Sequence, residues 1–266
     1  MLRDITLGQY YQADSVIHKL DPRVKLVATI TFIISLFIVQ NFVGYLIAAL
    51  FLVLAIKLSK VPFRFMVKGM KAIMFLLLVT VVFNLFLTPG EPLLTLWKFT
   101  ITKEGLRTAV FMAIRLTFLI IGSSVMTLTT TPNSLTDGME KLMNPLKVFK
   151  VPVHEVAMMM SIALRFIPIL LEETDKIMKA QIARGADFES GNLIKKAKSL
   201  VPLLVPLFIS AFRRANDLAM AMEARCYRGG EHRTKMKPLK YKRRDAAAYG
   251  ILVCYLALCI TANILL

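Results

Sequence analysis

Leu26–Ile56, LVATITFIISLFIVQNFVGYLIAALFLVLAI, contains no charged residue. The run is too long for one helix, since about 20 apolar residues cross the hydrocarbon core of a bilayer. Gln40, Asn41 and Gly44 therefore read as a tight polar turn between two membrane spans. The hairpin emerges at Lys57, Lys60, Arg64, Lys68 and Lys71, with no acid among them. By the positive-inside rule that loop is cytoplasmic, and so is the N-terminus one hairpin earlier. Before the first span, Asp21 reads as a helix N-cap and Pro22 as the first helical position. The first 23 residues are polar and mixed in charge, without the basic start and short apolar core of a cleavable signal, so the first span itself directs insertion.

Composition agrees with that hairpin. Of 266 residues 56% are hydrophobic, and Lys plus Arg outnumber Asp plus Glu by 34 to 17. The expectation is an all-α integral membrane protein with about five transmembrane helices. A third span covers about residues 69–87, broken by Thr88-Pro89-Gly90, with Trp97 and Phe99 suited to an interfacial belt. A fourth runs from Gly105 to about Thr129 and carries Gly122-Ser123-Ser124 as a small-residue packing face. Its one charge, Arg115, either reaches the interface or belongs to a site, and the sequence leaves both open. The last span is 246–266, which places the C-terminus outside. The chain divides as 1–131, a strap with four spans; 132–245, a cytoplasmic module; and 246–266, the final helix. Basic residues flank apolar runs instead of interleaving with aromatics, so the partner is the lipid bilayer and no nucleic acid is expected. Cys226, Cys254 and Cys259 lack metal-like spacing and read as reduced packing residues.

The cytoplasmic module holds two long amphipathic stretches with matching ends, Ala183-Arg184-Gly185 and Ala224-Arg225-Cys226. Shifted onto each other, Ile167 falls on Phe208, Leu171 on Phe212, Ile177 on Leu218 and Ala180 on Ala221, all on roughly one helical face. Each stretch is a helical arm with an apolar stripe ending in alanines, where two arms can cross closely. The apolar blocks Val156–Leu171 and Leu200–Phe212, the latter broken by Pro202 and Pro206, lie against the membrane or insert in part, because a full crossing by the first would put the cations of 172–198 outside. An arginine near a helix C-terminus complements the helix dipole by about 0.3–1 kcal/mol. That explains either arginine alone, but not the same ending twice. Gly185 takes a left-handed cap, and Gly229 and Gly230 end the second arm. Each guanidinium then offers a rigid donor fork to a carboxylate-lined groove on a partner.

Gly8-Gln9-Tyr10-Tyr11, Leu20-Asp21-Pro22-Arg23-Val24-Lys25-Leu26, Ala183-Arg184-Gly185 and Glu223-Ala224-Arg225-Cys226-Tyr227 together resemble the transmembrane subunit of energy-coupling factor transporters, the EcfT/CbiQ-like family. The resemblance covers essentially the whole chain. It implies a complex with two ABC-type ATPase subunits and a substrate-binding membrane S component that captures a vitamin or metal ion. It also implies that Ala183, Arg184, Gly185, Ala224, Arg225 and Cys226 dock the coupling helices into the ATPases. Cys226 stands where the family more often has glycine, a position that otherwise asks only for a small residue.

Two other functional classes compete for the same sequence. An intramembrane enzyme finds no support: His18, His154 and His232 are scattered, HExxH is absent, Ser123-Ser124 has no histidine on another span, and no GxxxxGK[ST] loop occurs. No catalytic residue, metal ligand or cofactor is expected. A dedicated cobalt or nickel permease subunit is the alternative transport reading, although the spans hold few ionisable groups to line a path. Met158, Met159, Met160, Met178, Met220 and Met222 form either an adaptable contact surface or core filling.

Overall fold

The computed structural model describes residues 10–70, 73–96, 99–186, 188, 193–230 and 235–265. Gly8, Gln9, Lys71, Trp97 and His232 lie outside them, as do the side chains of Lys68 and Phe99. The helices are α1 (Pro22–Ile38), α2 (Phe42–Ser59), α3 (Phe63–Met70), α4 (Met74–Leu87), α5 (Lys103–Thr129), α6 (Pro132–Leu142), α7 (Val153–Ala183), α8 (Leu193–Ala224) and α9 (Arg243–Leu265), with a 3-10 turn at Asn144–Phe149. Among the described residues the protein is all-helical apart from one short antiparallel hairpin, β1 (Pro92–Leu96) with β2 (Phe99–Thr102). The hairpin occupies what the sequence marks only as a break.

Among the described residues four helices, α2, α5, α7 and α9, are long and apolar enough to cross a membrane. The expected first and third spans are shorter than that, 17 residues in α1 and 14 in α4. At 1.5 Å per residue these reach only about 25 and 21 Å, against about 30 Å of hydrocarbon. Part of the third span belongs to α3, whose helix ends at Met70 before α4 begins at Met74. Conversely α7, for which charge asymmetry disfavoured a full crossing, meets the same criterion of length and composition. The arms are continuous through their prolines: α7 runs through Pro168 and α8 through Pro202 and Pro206.

The chain forms two compact units, one of residues 8–142 with 239–266, the other of residues 143–238. In the first, Phe32, Leu36, Ala48, Leu52, Val125 and Tyr255 are among the buried residues that hold α1, α2, α5 and α9 together. Ser35 and Tyr255 share a hydrogen bond of 2.6 Å inside that core. A Cβ on Gly122 would lie 2.7 Å from Phe32, so glycine there lets α5 close on α1. Arg115 donates through Nε to the Tyr45 hydroxyl at 3.0 Å and through Nη2 to the Val39 carbonyl at 3.5 Å. Its task is the polar end of the α1–α2 hairpin. Of the cysteines only Cys259 is buried; Cys226 and Cys254 are exposed.

A polar knot ties the opposite end of this unit. Asp21 caps α1 through the Arg23 amide at 2.9 Å, with Pro22 at the first helical position as expected. The Arg23 guanidinium returns to Asp21 and lies 3.7 Å from the Tyr241 ring. Asp245, 2% exposed, accepts from the backbone N–H groups of Asp21 and Lys242 at 2.9 and 2.7 Å. Lys25 donates to the carbonyls of Thr129 and His18, and Tyr11 N–H donates to the Leu128 carbonyl at 2.9 Å. The strap, α1, α5 and α9 are thereby joined through Asp21, Lys25, Thr129 and Asp245, all of them buried, where an unmade hydrogen bond is costly.

Replacing Asp245 by Ala strands two N–H groups, and thermal unfolding of the purified chain should show a loss of about 2–4 kcal/mol. Burial pushes the Asp21 carboxyl up, but hydrogen bonds from Arg23 outweigh it and hold it below its ordinary range, while burial pushes the His18 imidazole down. Both shifts favour the less protonated form in the folded state. Strap stability is therefore complete near neutrality, falls as pH drops below about 6.5 through His18, and falls further in the carboxylate range through Asp21. Hydrogen exchange at the Tyr11 amide, measured against pH, checks that order.

Candidate functional site

In the second unit α7 packs against α8, and the contacts fix their sense. Glu173 accepts from Ser210 Oγ and from Arg214, whose Nη2 lies at 2.9 Å. Gln181 Nε2 donates to the Pro202 carbonyl at 3.4 Å. Moving toward the C-terminus of α7 thus means moving toward the N-terminus of α8, so the arms run antiparallel. The Pro202 carbonyl would ordinarily accept from residue 206, but Pro206 has no N–H. Gln181 supplies the missing donor.

Glu173 and Arg214 are equivalent positions of the two arms, separated by the same 41 residues that relate Arg184 to Arg225. Equivalent positions facing each other are what an internal twofold axis requires. The other side of the crossing conforms, since Met158 and Ile162 of α7 share a cleft with Leu218 and Met222 of α8. Each arginine lies eleven residues beyond the crossing pair, or about 16 Å along its helix. The two tips stand at opposite ends of the pair, about 33 Å apart along it.

Both tips are exposed, and their backbones are built alike. At the first, Gly185 N–H donates to the Ile182 carbonyl at 2.9 Å and Ala186 N–H to the Gln181 carbonyl at 2.9 Å. At the second, Cys226 donates to Glu223 at 2.8 Å and Tyr227 to Met222 at 3.0 Å. This is one C-capping motif twice, with the left-handed residue at Gly185, φ +88°, and at Cys226, φ +54°. The second arm therefore ends at Ala224, directly before its arginine, and not at Gly229 and Gly230. The third position of each motif must enter left-handed space, which a small side chain alone does not make comfortable.

The structure also moves the place where the arms meet. Ala180, Ala183, Ala221 and Ala224 are exposed, and the crossing lies further back at Glu173, Ser210 and Arg214. A close alanine crossing would bring the tips together; the polar one holds them apart. Opposite charges at equivalent positions were the available signal for it. Met159, Met160 and Met220 are exposed at 58%, 37% and 61%, which suits a contact surface, whereas Met158 and Met222 line the cleft beside Arg225. Phe208 and Phe212 stand out at 61% and 68%. Among the described residues no group of three or more His, Cys, Asp or Glu is placed to hold a metal ion.

The CbiQ family model, described as cobalt transport protein, matches residues 13–236. Proteins named energy-coupling factor transporter transmembrane protein EcfT are similar over nearly the whole chain. That of Clostridium kluyveri is 61% identical over 250 residues, 93% of this chain and 93% of its own. The Thermosediminibacter oceani protein is 54% identical over 248 residues, covering 93% and 94%, and the Bacillus subtilis protein 46% over 259 residues, covering 97% and 98%.

The capping geometry yields a paired outcome. Cys226→Gly removes the Cβ from a left-handed residue and should stabilise the second arm by about 1 kcal/mol, whereas Gly185→Ala should destabilise the first by about 1–2 kcal/mol. Protease susceptibility of the arm ends in the purified chain reads both signs.

Proposed function

The chain belongs to the CbiQ cobalt transport protein family, as one of its energy-coupling factor transporter transmembrane proteins, and we propose that its two arms carry ATP-driven force from a pair of ABC-type ATPase subunits to a separate substrate-binding membrane subunit. The chain is the membrane-embedded component of such a transporter and works with other subunits. It acts without catalysis of its own, in a multi-pass arrangement whose arms and N-terminus face the cytoplasm and whose C-terminus lies outside. The relatives' names favour this reading over a dedicated metal-ion permease.

One observation carries the proposal. Two arginines sit on the same exposed helix-end motif, at opposite ends of a pair of arms related by an internal twofold. A partner with two equivalent sockets is what such a pair fits. Ala183, Arg184 and Gly185 form one plug; Ala224, Arg225 and Cys226 form the other. Each arginine is exposed at the end of its arm, where a guanidinium suits a carboxylate-lined groove as a bidentate donor.

Closure of the ATPases on ATP draws the sockets, and with them the tips, toward each other. Because the arms are joined at Glu173 and Arg214, displacement of both ends becomes rotation about that crossing. The apolar faces of Phe208 and Phe212 then move against the substrate subunit. That subunit tilts and releases a vitamin or another micronutrient inside.

Changing both Arg184 and Arg225 to Ala should uncouple transport and weaken ATPase co-purification while membrane insertion stays normal, each arginine contributing about 2–5 kcal/mol of docking energy. Lysine at either position should restore only part of it, because an ammonium lacks the fork. Full co-purification and transport in the double alanine variant would reject the docking assignment.

A further inference from the structure

Within the unit that contains α1, α2, α5 and α9 lies an apolar cavity of about 160 Å³. Small residues leave the space: Ala28 of α1, Ala55 of α2, Gly122 of α5 and Ala248 of α9 all border it. One end is closed by aromatic rings, Phe51 on Tyr255 at 4.4 Å and Phe32 on Phe51 at 5.8 Å. The side is open. Leu54, Leu58 and Ile251 edge the cavity and are 43%, 40% and 49% exposed, so the slot gives laterally between α2 and α9.

The charges lie at the other end of the slot. Lys57 follows the edge residue Leu54 by three residues on α2, and Arg244 precedes Ala248 by four on α9, so each cation lies one helical turn from a residue that borders the slot. Neither forms an ion pair with a described residue. Lys25, 7% exposed, also borders the slot, with its ammonium held by the Thr129 and His18 carbonyls.

A slot lined by aliphatic and aromatic carbon offers water too few partners to hold it, and left empty it forfeits dispersion contacts along its whole wall. In a helix bundle surrounded by lipid, the apolar material at a lateral opening is the acyl chain. The cations at one end choose the headgroup, since basic residues at a helix end attract anionic lipid. We propose that the slot holds one acyl chain of an anionic phospholipid, with the phosphate of its headgroup between Lys57 and Arg244. The lipid fills the gap between α2 and α9 at the end of the bundle where the polar knot is tied.

The experiment uses the full chain in mixed micelles with dioleoyl phosphatidylglycerol or dioleoyl phosphatidylcholine, and native mass spectrometry to follow the lipid retained. One phosphatidylglycerol should be retained about 25-fold more tightly than phosphatidylcholine, at about fivefold for each cation. K57Q/R244Q should abolish that preference and leave phosphatidylcholine retention unchanged. Ala55→Phe, which fills the slot, should lower retention of both lipids; Ala248→Leu fills it from the other wall and serves if the first variant folds poorly. Glycerol phosphate, the headgroup without chains, should not displace the lipid. Equal retention of the two lipids, a preference that survives K57Q/R244Q, retention unchanged in a folded slot-filling variant, or displacement by glycerol phosphate would each overturn the assignment.

Discussion

The crossing of α7 on α8 at Glu173, Ser210 and Arg214 sets the geometry of everything beyond it. Its strength is modest. The side chains of Arg214 and Glu173 are 40% and 23% exposed, and an ion pair that open to solvent contributes about 1 kcal/mol or less. What it supplies is register. Sliding one arm by a turn would part the carboxylate from both donors and place one tip about 5 Å nearer the crossing than the other. A modest interaction at an internal axis is enough to keep two long levers equal, because any slip is felt at both ends.

The prolines give that register a second support. A proline in a helix interior removes one hydrogen bond and pushes aside the carbonyl a turn before it. In α8 the carbonyl freed by Pro206 belongs to Pro202, and Gln181 of the other arm takes it. A defect in one helix is thereby converted into a contact between two. The same prolines mark where α8 bends most readily, since kinks concentrate at such residues. The length from Ser210 to the second tip contains no proline, so the segment that would bear force is continuous helix.

Much of this was legible in the sequence, and the rest was hidden for physical reasons. The uncharged run Leu26–Ile56 marked two apolar helices, α1 and α2, because Gln40 and Asn41 sit at a turn between them, although α1 is shorter than a full span. Asp21 and Pro22 marked a helix start because capping is local. The repeated Ala-Arg-small endings showed matched tips for the same reason. The crossing point was misplaced because small residues permit close approach without requiring it, and here the alanines remain exposed. Cys226 looked like a harmless change from glycine because side-chain size is visible in a sequence and a left-handed φ is not. Asp245, at the boundary of a basic cluster, gave no sign that it would accept backbone hydrogen bonds from Asp21 more than two hundred positions away.

Both units leave large apolar side chains exposed, and they differ in what they bury. In the first, Leu36, Ala48 and Met66 are fully buried, and the chain's polar groups close on one another around Asp21, Lys25 and Asp245. In the second, Leu204, Val205, Phe208, Ile209 and Phe212 stay substantially exposed along one helix. An exposed apolar run of that length disfavours an isolated aqueous module, because each such side chain forgoes about 1.5–3 kcal/mol of burial. Lipid or a partner surface must cover it. Sequence that leaves this face bare while spending buried hydrogen bonds on the base of the bundle specifies a stable anchor and an arm that is completed by what it touches. In the coupling role proposed above, motion at the arginine tips would reach an apolar surface that lipid or a partner covers.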